Sequence, residues 1–326
     1  MSGGTSSRVS RFVPRNWSFA VLAVAVLLVP AFTRDTYILS IFAFMATRFM
    51  VVVGLWLLLG LAGQISLGHA AFVGLGAYGS AILVTRADVN PWLALVMSAV
   101  LAAAIAGLIG IPTLKLKGHY LAMATMGFGE IIHILLIQLK GLTNGTDGIT
   151  GIPPLSLGPL NFSDPRLYHL LVWVVALIFF LLALNLTNSR LGRALQALRR
   201  SEVAAQSLGV DTSWRKLQVF MLSAVAASIA GSFDAHYVQF VSPDSFTLNV
   251  SVFLVCSVVI GGFRSVWGAV WGTLLITILP EIIKRFNEDA VNLVFGLLII
   301  VIVVLLPVKS GPLARLQLLL RGRERL

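Results

Sequence analysis

The sequence is short of charge. Only 11% of its 326 residues are Asp, Glu, Lys or Arg, with 24 basic side chains against 13 acidic ones. A soluble domain carries about 25% charged residues, so this chain has too few ions to coat a globule of its size in water. It is equally short of cysteine: the single thiol, Cys256, excludes an intrachain disulfide and any multi-cysteine metal centre. It has no G-x-x-x-x-G-K-[ST] loop, and so lacks the backbone cradle and lysine that hold nucleotide phosphates in P-loop proteins. No H-E-x-x-H or H-x-x-x-H pair offers a zinc site, and no G-x-S-x-G elbow offers a hydrolase nucleophile.

What the chain does have is apolar. Hydrophobic residues make up 58% of it, and the mean hydropathy is +0.93. That excess needs an apolar solvent, which makes this an all-α, polytopic membrane protein. Its runs are continuous rather than alternating, which excludes a transmembrane β-barrel. The net charge of +11 is read as loops facing anionic lipid headgroups, not as a nucleic-acid surface.

About ten segments are long and apolar enough to span or re-enter a bilayer: 17–33, 36–61, 65–84, 91–111, 119–139, 167–186, 217–238, 245–262, 265–283 and 290–307. The third and ninth are rich in Gly and polar residues, so eight full spans with two broken ones is the other count. Arg8, Arg11 and Arg15 precede the first segment, but no Ala-x-Ala-like site follows it, so it is expected to stay as a helix. With the N-terminus inside and ten alternating segments, seventeen of the 24 basic residues fall inside, as the positive-inside rule expects. Residues 1–16 then form a basic cytoplasmic segment, 17–308 the transmembrane domain and 309–326 a basic cytoplasmic tail. Two loops are long: an outer one at 140–166 and an inner one at 187–216.

Several patterns have a bland reading beside the chemical one. Gly74-Leu75-Gly76-Ala77-Tyr78-Gly79 satisfies G-x-G-x-x-G, but it lies inside a span, where small residues let helices approach closely. Gly268 and Gly272 form a similar pair. Charges within spans are expensive, so Arg48, Glu130 and His133 need a reason. Glu130 and His133 are three apart on one helical face and can pair, and Arg48 can meet Glu130 in the bundle interior. That trio reads either as a substrate path or proton relay, or as an ion pair fixing helix register. Asp234 and His236 are expected near the outer end of their span, exposed to water or headgroups. The outer loop, rich in Asn-Gly, Asp-Gly and Pro-Pro turns, is either a closing turn or a docking surface.

The inner loop is the most informative stretch. Ser201 can cap a short helix with Glu202 in its first turn, Ala204 and Ala205 give it a narrow surface, and Gly209 ends it. Arg199 and Arg200 flank it on one side, Arg215 and Lys216 on the other. Such a helix suits a groove on a partner protein, or lies on the membrane surface.

Glu202-Val-Ala-Ala-x-x-x-Gly209 resembles the EAA loop of ABC importer permeases. Gly63-Gln-Ile-Ser-Leu-Gly-His-Ala-Ala-Phe72 and Gly118-His-Tyr-Leu-Ala-Met-Ala-Thr-Met-Gly-Phe-Gly-Glu130 are similar to branched-chain amino acid permeases of the LivM type. So are Leu142–Pro153 and Gly261–Gly268. The resemblance implies a subunit of an ATP-driven importer in the bacterial inner membrane. Its partners would be a second, LivH-type permease, two ATP-binding cassette subunits and an extracytoplasmic substrate-binding protein. ATP and Mg would be used by the partner subunits, with no cofactor bound by this chain. It also implies coupling through Glu202, Ala204, Ala205 and Gly209, and a translocation path near Gln64, Ser66, His69 and Glu130. Trp56, Arg48 and His133 depart from the family's usual residues, which leaves the solute open: urea and short amides travel through related systems. The rival expectation is a proton-coupled secondary transporter using Glu130 and His133.

Overall fold

The computed structural model describes residues 17–158, 160–263, 265–284 and 296. The expected tenth segment at 290–307, apart from residue 296, the N-terminal segment 1–16 and the tail 309–326 lie outside the described residues.

The chain is a helical bundle. In order it runs α1 (Trp17–Leu27), α2 (Val29–Phe32) and α3 (Thr36–Trp56), which continues as a π-helical turn, Leu57–Leu61. Then come α4 (His69–Ala87), α5 (Pro91–Thr113), α6 (His119–Gln138) and the short α7 (Lys140–Thr143). After α8 (Pro165–Asn188) the chain forms α9 (Arg190–Arg200), α10 (Glu202–Ser207) and α11 (Thr212–Val238). It ends with α12 (Leu248–Gly261) and α13 (Trp267–Lys284). Among the described residues, seven helices are long and apolar enough to cross a membrane, and two shorter apolar ones, Trp17–Phe32 and Trp267–Ile283, accompany them.

Caps set the boundaries. Asp35, Asn90, Asp164 and Asp211 each accept a bond from a backbone N–H in the first turn of the helix they precede. Asn90 and Asp164 are each followed by proline at the first helical position, where its missing N–H costs nothing. The Asp211 cap moves the start of α11 to Thr212, five residues before the apolar run that hydropathy detects. Conversely, the span expected from residue 65 starts at His69, and residues 63–68 are irregular.

α11 is the central helix, packed against α3, α4 and α5. Its seam with α4 is built of small residues. A Cβ on Gly76 would overlap the Ser228 backbone, and one on Gly231 would overlap the backbone of Val73. Ser232 Oγ donates to the Gly76 carbonyl at 2.9 Å. The G-x-G-x-x-G run is therefore a packing device, with Gly74 against Phe246 and Gly79 against Ser98. Gly268 and Gly272 serve the α12–α13 contact in the same way, facing Gly261 and Ser257.

At one end of the bundle the 140–166 loop is pinned rather than free. Three short strand segments lie within it, β1 (Ile149–Thr150), β2 (Ser156–Leu157) and β3 (Leu160–Asn161), and a fourth, β4 (Phe240–Val241), follows α11. β1 pairs antiparallel with β4, and β2 with β3. Arg86 donates to the Gly141 carbonyl and to Asn144 Oδ1.

Candidate coupling helix and translocation residues

The opposite end carries α9 and α10. Ser189 caps α9 by accepting from Gly192 N, and Ser201 caps α10 by accepting from Ala204 N. Gly209, at φ +79°, takes the left-handed conformation that lets the chain turn away after α10. The helix expected from Ser201 and Gly209 is therefore present, and it is clamped at its root. Glu202 Oε1 accepts from Lys216 Nζ at 2.6 Å, and its Oε2 lies 3.8 Å from Lys117 Nζ. Thr212 Oγ1 also reaches Glu202, at 3.4 Å, and Gln206 Nε2 donates to Thr212 at 2.9 Å. Lys216 is only 3% exposed, so Glu202 neutralises a buried ammonium and ties α10 to the start of α11. Burial alone pushes the Glu202 carboxyl up. The Lys216 hydrogen bond and charge, with help from Lys117 and Thr212, outweigh that and hold it below the usual carboxylate range.

Ala205 is buried against the bundle, whereas Ala204 faces outward. Beside Ala204, Val203 is 70% exposed and Leu208 81%. Sequence reading missed this apolar tip and the buried role of Lys216, which looked like one more loop charge.

Of the four candidate path residues, Ser66 and His69 are brought together, while Gln64 and Glu130 stand apart from that pair. Ser66 and His69 are 2% and 0% exposed, closed into the packing between α4 and α11. His69 is held between Ser66 Oγ (2.9 Å) and Ser223 Oγ (2.6 Å). Gln64 is half-buried, its side chain donating to the Ala62 carbonyl, while Glu130 is exposed on α6.

The expected ion pairs do not form. Among the described residues, the only salt bridges are the two on Glu202, so Glu130 pairs with neither His133 nor Arg48. Arg48 instead lies near Asp234, whose carboxylate faces Thr47 and the Arg48 charge. For Arg48 and Glu130 the reason is helix placement: α3 packs against α8 and α11, while α6 packs against α4.

Asp234 and His236 are likewise not on the surface. His236 Nδ1–H donates to the Pro153 carbonyl at 2.7 Å, which leaves Nε2 to accept from Ser80 Oγ, also at 2.7 Å. This buried histidine fastens the 140–166 loop to α11. Trp56, one of the departures from the family pattern, is also accounted for: its indole lies over Gly60 in the π-helical turn and donates to the Gly262 carbonyl at 3.3 Å.

A polytopic bundle of apolar helices, closed by a pinned loop at one end and a capped, clamped surface helix at the other, is an integral membrane protein of the permease class. The chain belongs to the branched-chain amino acid transport system permease component family, which matches residues 37–303. It is 35% identical to the Escherichia coli K12 high-affinity branched-chain amino acid transport system permease protein LivM, over 85% of this chain and 71% of the relative. It is also similar to the LivH permease protein of the same system, at 25% identity over 80% and 90% of the two chains. The E. coli ribose import permease protein RbsC is 25% identical over 84% of this chain and 83% of the relative. No solved structure matches the chain.

Proposed function

We propose that this chain is the membrane-spanning permease subunit of an ATP-driven importer that moves branched-chain or related amino acids across the bacterial inner membrane by alternating access. The observation that carries the reading is α10. It is anchored through Glu202 and Ala205, ends at Gly209, and presents Val203, Ala204 and Leu208 outward. A short helix with an exposed apolar tip and a rigid root suits insertion into a partner's groove. Family membership supports the partner class: two ATP-binding cassette subunits, which bind the ATP and Mg for which this chain has no P-loop.

The basic residues of 187–216 support placing this end, and both termini, in the cytoplasm. A LivH-type permease would pack alongside, against α6, with Glu130 near the shared path. A substrate-binding protein would deliver solute at the pinned 140–166 loop. Higher identity to the LivM permease than to the ribose permease favours an amino acid over a sugar.

The test replaces Leu208 by Arg and, separately, Gly209 by Asp. Both variants are expected to insert normally, yet to lose co-purifying ATPase subunits and ATP-driven leucine uptake. Uptake at the parental rate in both variants would sink the coupling role of α10.

A further inference from the structure

A cavity of about 1160 Å³ opens at the α9 end, between α1, the π-helical turn, α8, α9 and the start of α13. Its walls are of two kinds. Phe19, Leu181 and Trp267 line the part set within the membrane helices, while Asn185, Arg199 and Arg200 line the mouth. Arg199 is fixed in place: it donates to the Gly60 and Phe263 carbonyls, and its guanidinium lies 5.7 Å from the centre of the Phe263 ring. No carboxylate among the described residues lies within ion-pair distance of either arginine. The mouth thus sets one fixed guanidinium, Arg199, and a second, Arg200, without a carboxylate partner among the described residues, above an apolar and aromatic floor.

We infer that this cavity holds an anionic phospholipid, with its phosphate at Arg199 and Arg200 and its acyl chains along Leu181 and Phe19. Guanidinium groups bind phosphate through paired N–H donors, and a basic pocket between membrane helices is a headgroup site by the same chemistry. The apolar floor favours a lipid over free phosphate. The chain's own ends do not match the charge: residues 1–16 hold Arg8, Arg11 and Arg15 with no acid, and 309–326 hold five basic residues against one acidic. The leaflet assigned, the cytoplasmic one, rests on the orientation proposed above. Because α9 leads directly into α10, the bound lipid would brace the helix that carries the coupling surface.

The test uses the intact complex, stripped of lipid in detergent and titrated with phosphatidylglycerol, phosphatidylethanolamine or inorganic phosphate, with retention read by native mass spectrometry. The expected result is selective retention of phosphatidylglycerol, lowered roughly fivefold by Arg200→Gln, the factor one arginine supplies near an anionic surface. Among the described residues Arg200 makes no hydrogen bond or ion pair, so its replacement breaks none, and Arg193→Gln, outside the cavity, is the charge control with unchanged retention. Equal retention of both lipids, no loss in Arg200→Gln, or phosphate alone displacing the lipid would each overturn the inference. Orientation is read separately, by labelling Arg193→Cys in a Cys256→Ser background. Labelling from outside intact cells would refute the cytoplasmic placement while leaving the lipid contact standing.

Discussion

Glu202 shows how much of the anchoring of α10 rests on one carboxylate. It neutralises Lys216, which is buried, and it roots α10 on α11. Glu202→Gln keeps the shape and removes the charge, leaving an ammonium buried without a counterion. The expected cost is roughly 2–3 kcal/mol, toward the lower end for a broken buried pair because Glu202 is partly exposed, read as a fall in thermal stability in detergent. The same pair sets a pH dependence. Because the folded carboxyl titrates below its unfolded value, the clamp is fully present above the ordinary glutamate range and is lost as pH falls through the lowered value. Protease sensitivity of the 187–216 loop is therefore expected to rise in acid in the parent, and to be high and flat with pH in Glu202→Gln. A loop equally protected in both would show that the clamp does not hold it. Glu202 itself was legible, because a serine cap and a first-turn acid are local signals. Lys216 was not, since its burial depends on a loop folding back onto the start of the next helix.

At the scale of elements, the close seam between α4 and α11 explains why glycine stands where a nucleotide motif seemed to be. The helices touch backbone to backbone at Gly76 and Gly231. Gly76→Val has no room to relax, since its neighbour is the Ser228 main chain, and overpacking of this kind costs about 1–3 kcal/mol. Gly127→Ala on α6 meets open space and is expected to be neutral or slightly stabilising through helix propensity. Comparing the unfolding temperatures of the two variants checks this: equal values would mean that the seam is looser than drawn. The spans themselves were legible because hydropathy reports directly on the solvent a helix will meet. Their starts were less so, because caps such as Asp211 extend a helix through polar residues that hydropathy scores as loop. The histidines were least legible of all. His69 and His236 each find a serine partner on the facing helix, far away in sequence, and only the packed seam shows those partners.

The whole molecule is uneven in how it covers its helices. α3 and α11 are mostly buried, whereas α6 leaves Met123, Met126, Ile131, Ile134 and Leu135 exposed. An apolar face alone fits lipid as well as protein. Glu130 is the discriminating residue: an exposed carboxylate midway along a span is costly against hydrocarbon and tolerable against a protein surface or a water-filled path. Gly127, one turn away and open to its surroundings, gives a second helix room to approach. The second permease proposed above needs one such face, and α6 has the residues for it. Gly127→Trp is then expected to fold and insert like the parent, because among the described residues nothing lies within 4 Å of a Cβ placed there, but to lose most of the co-purifying second permease and most uptake. Retention of ATPase subunits on α10 in that variant would separate this loss from a coupling defect. If the tryptophan variant instead holds its second permease at the parental level, α6 faces lipid and the shared path lies along another side of the bundle.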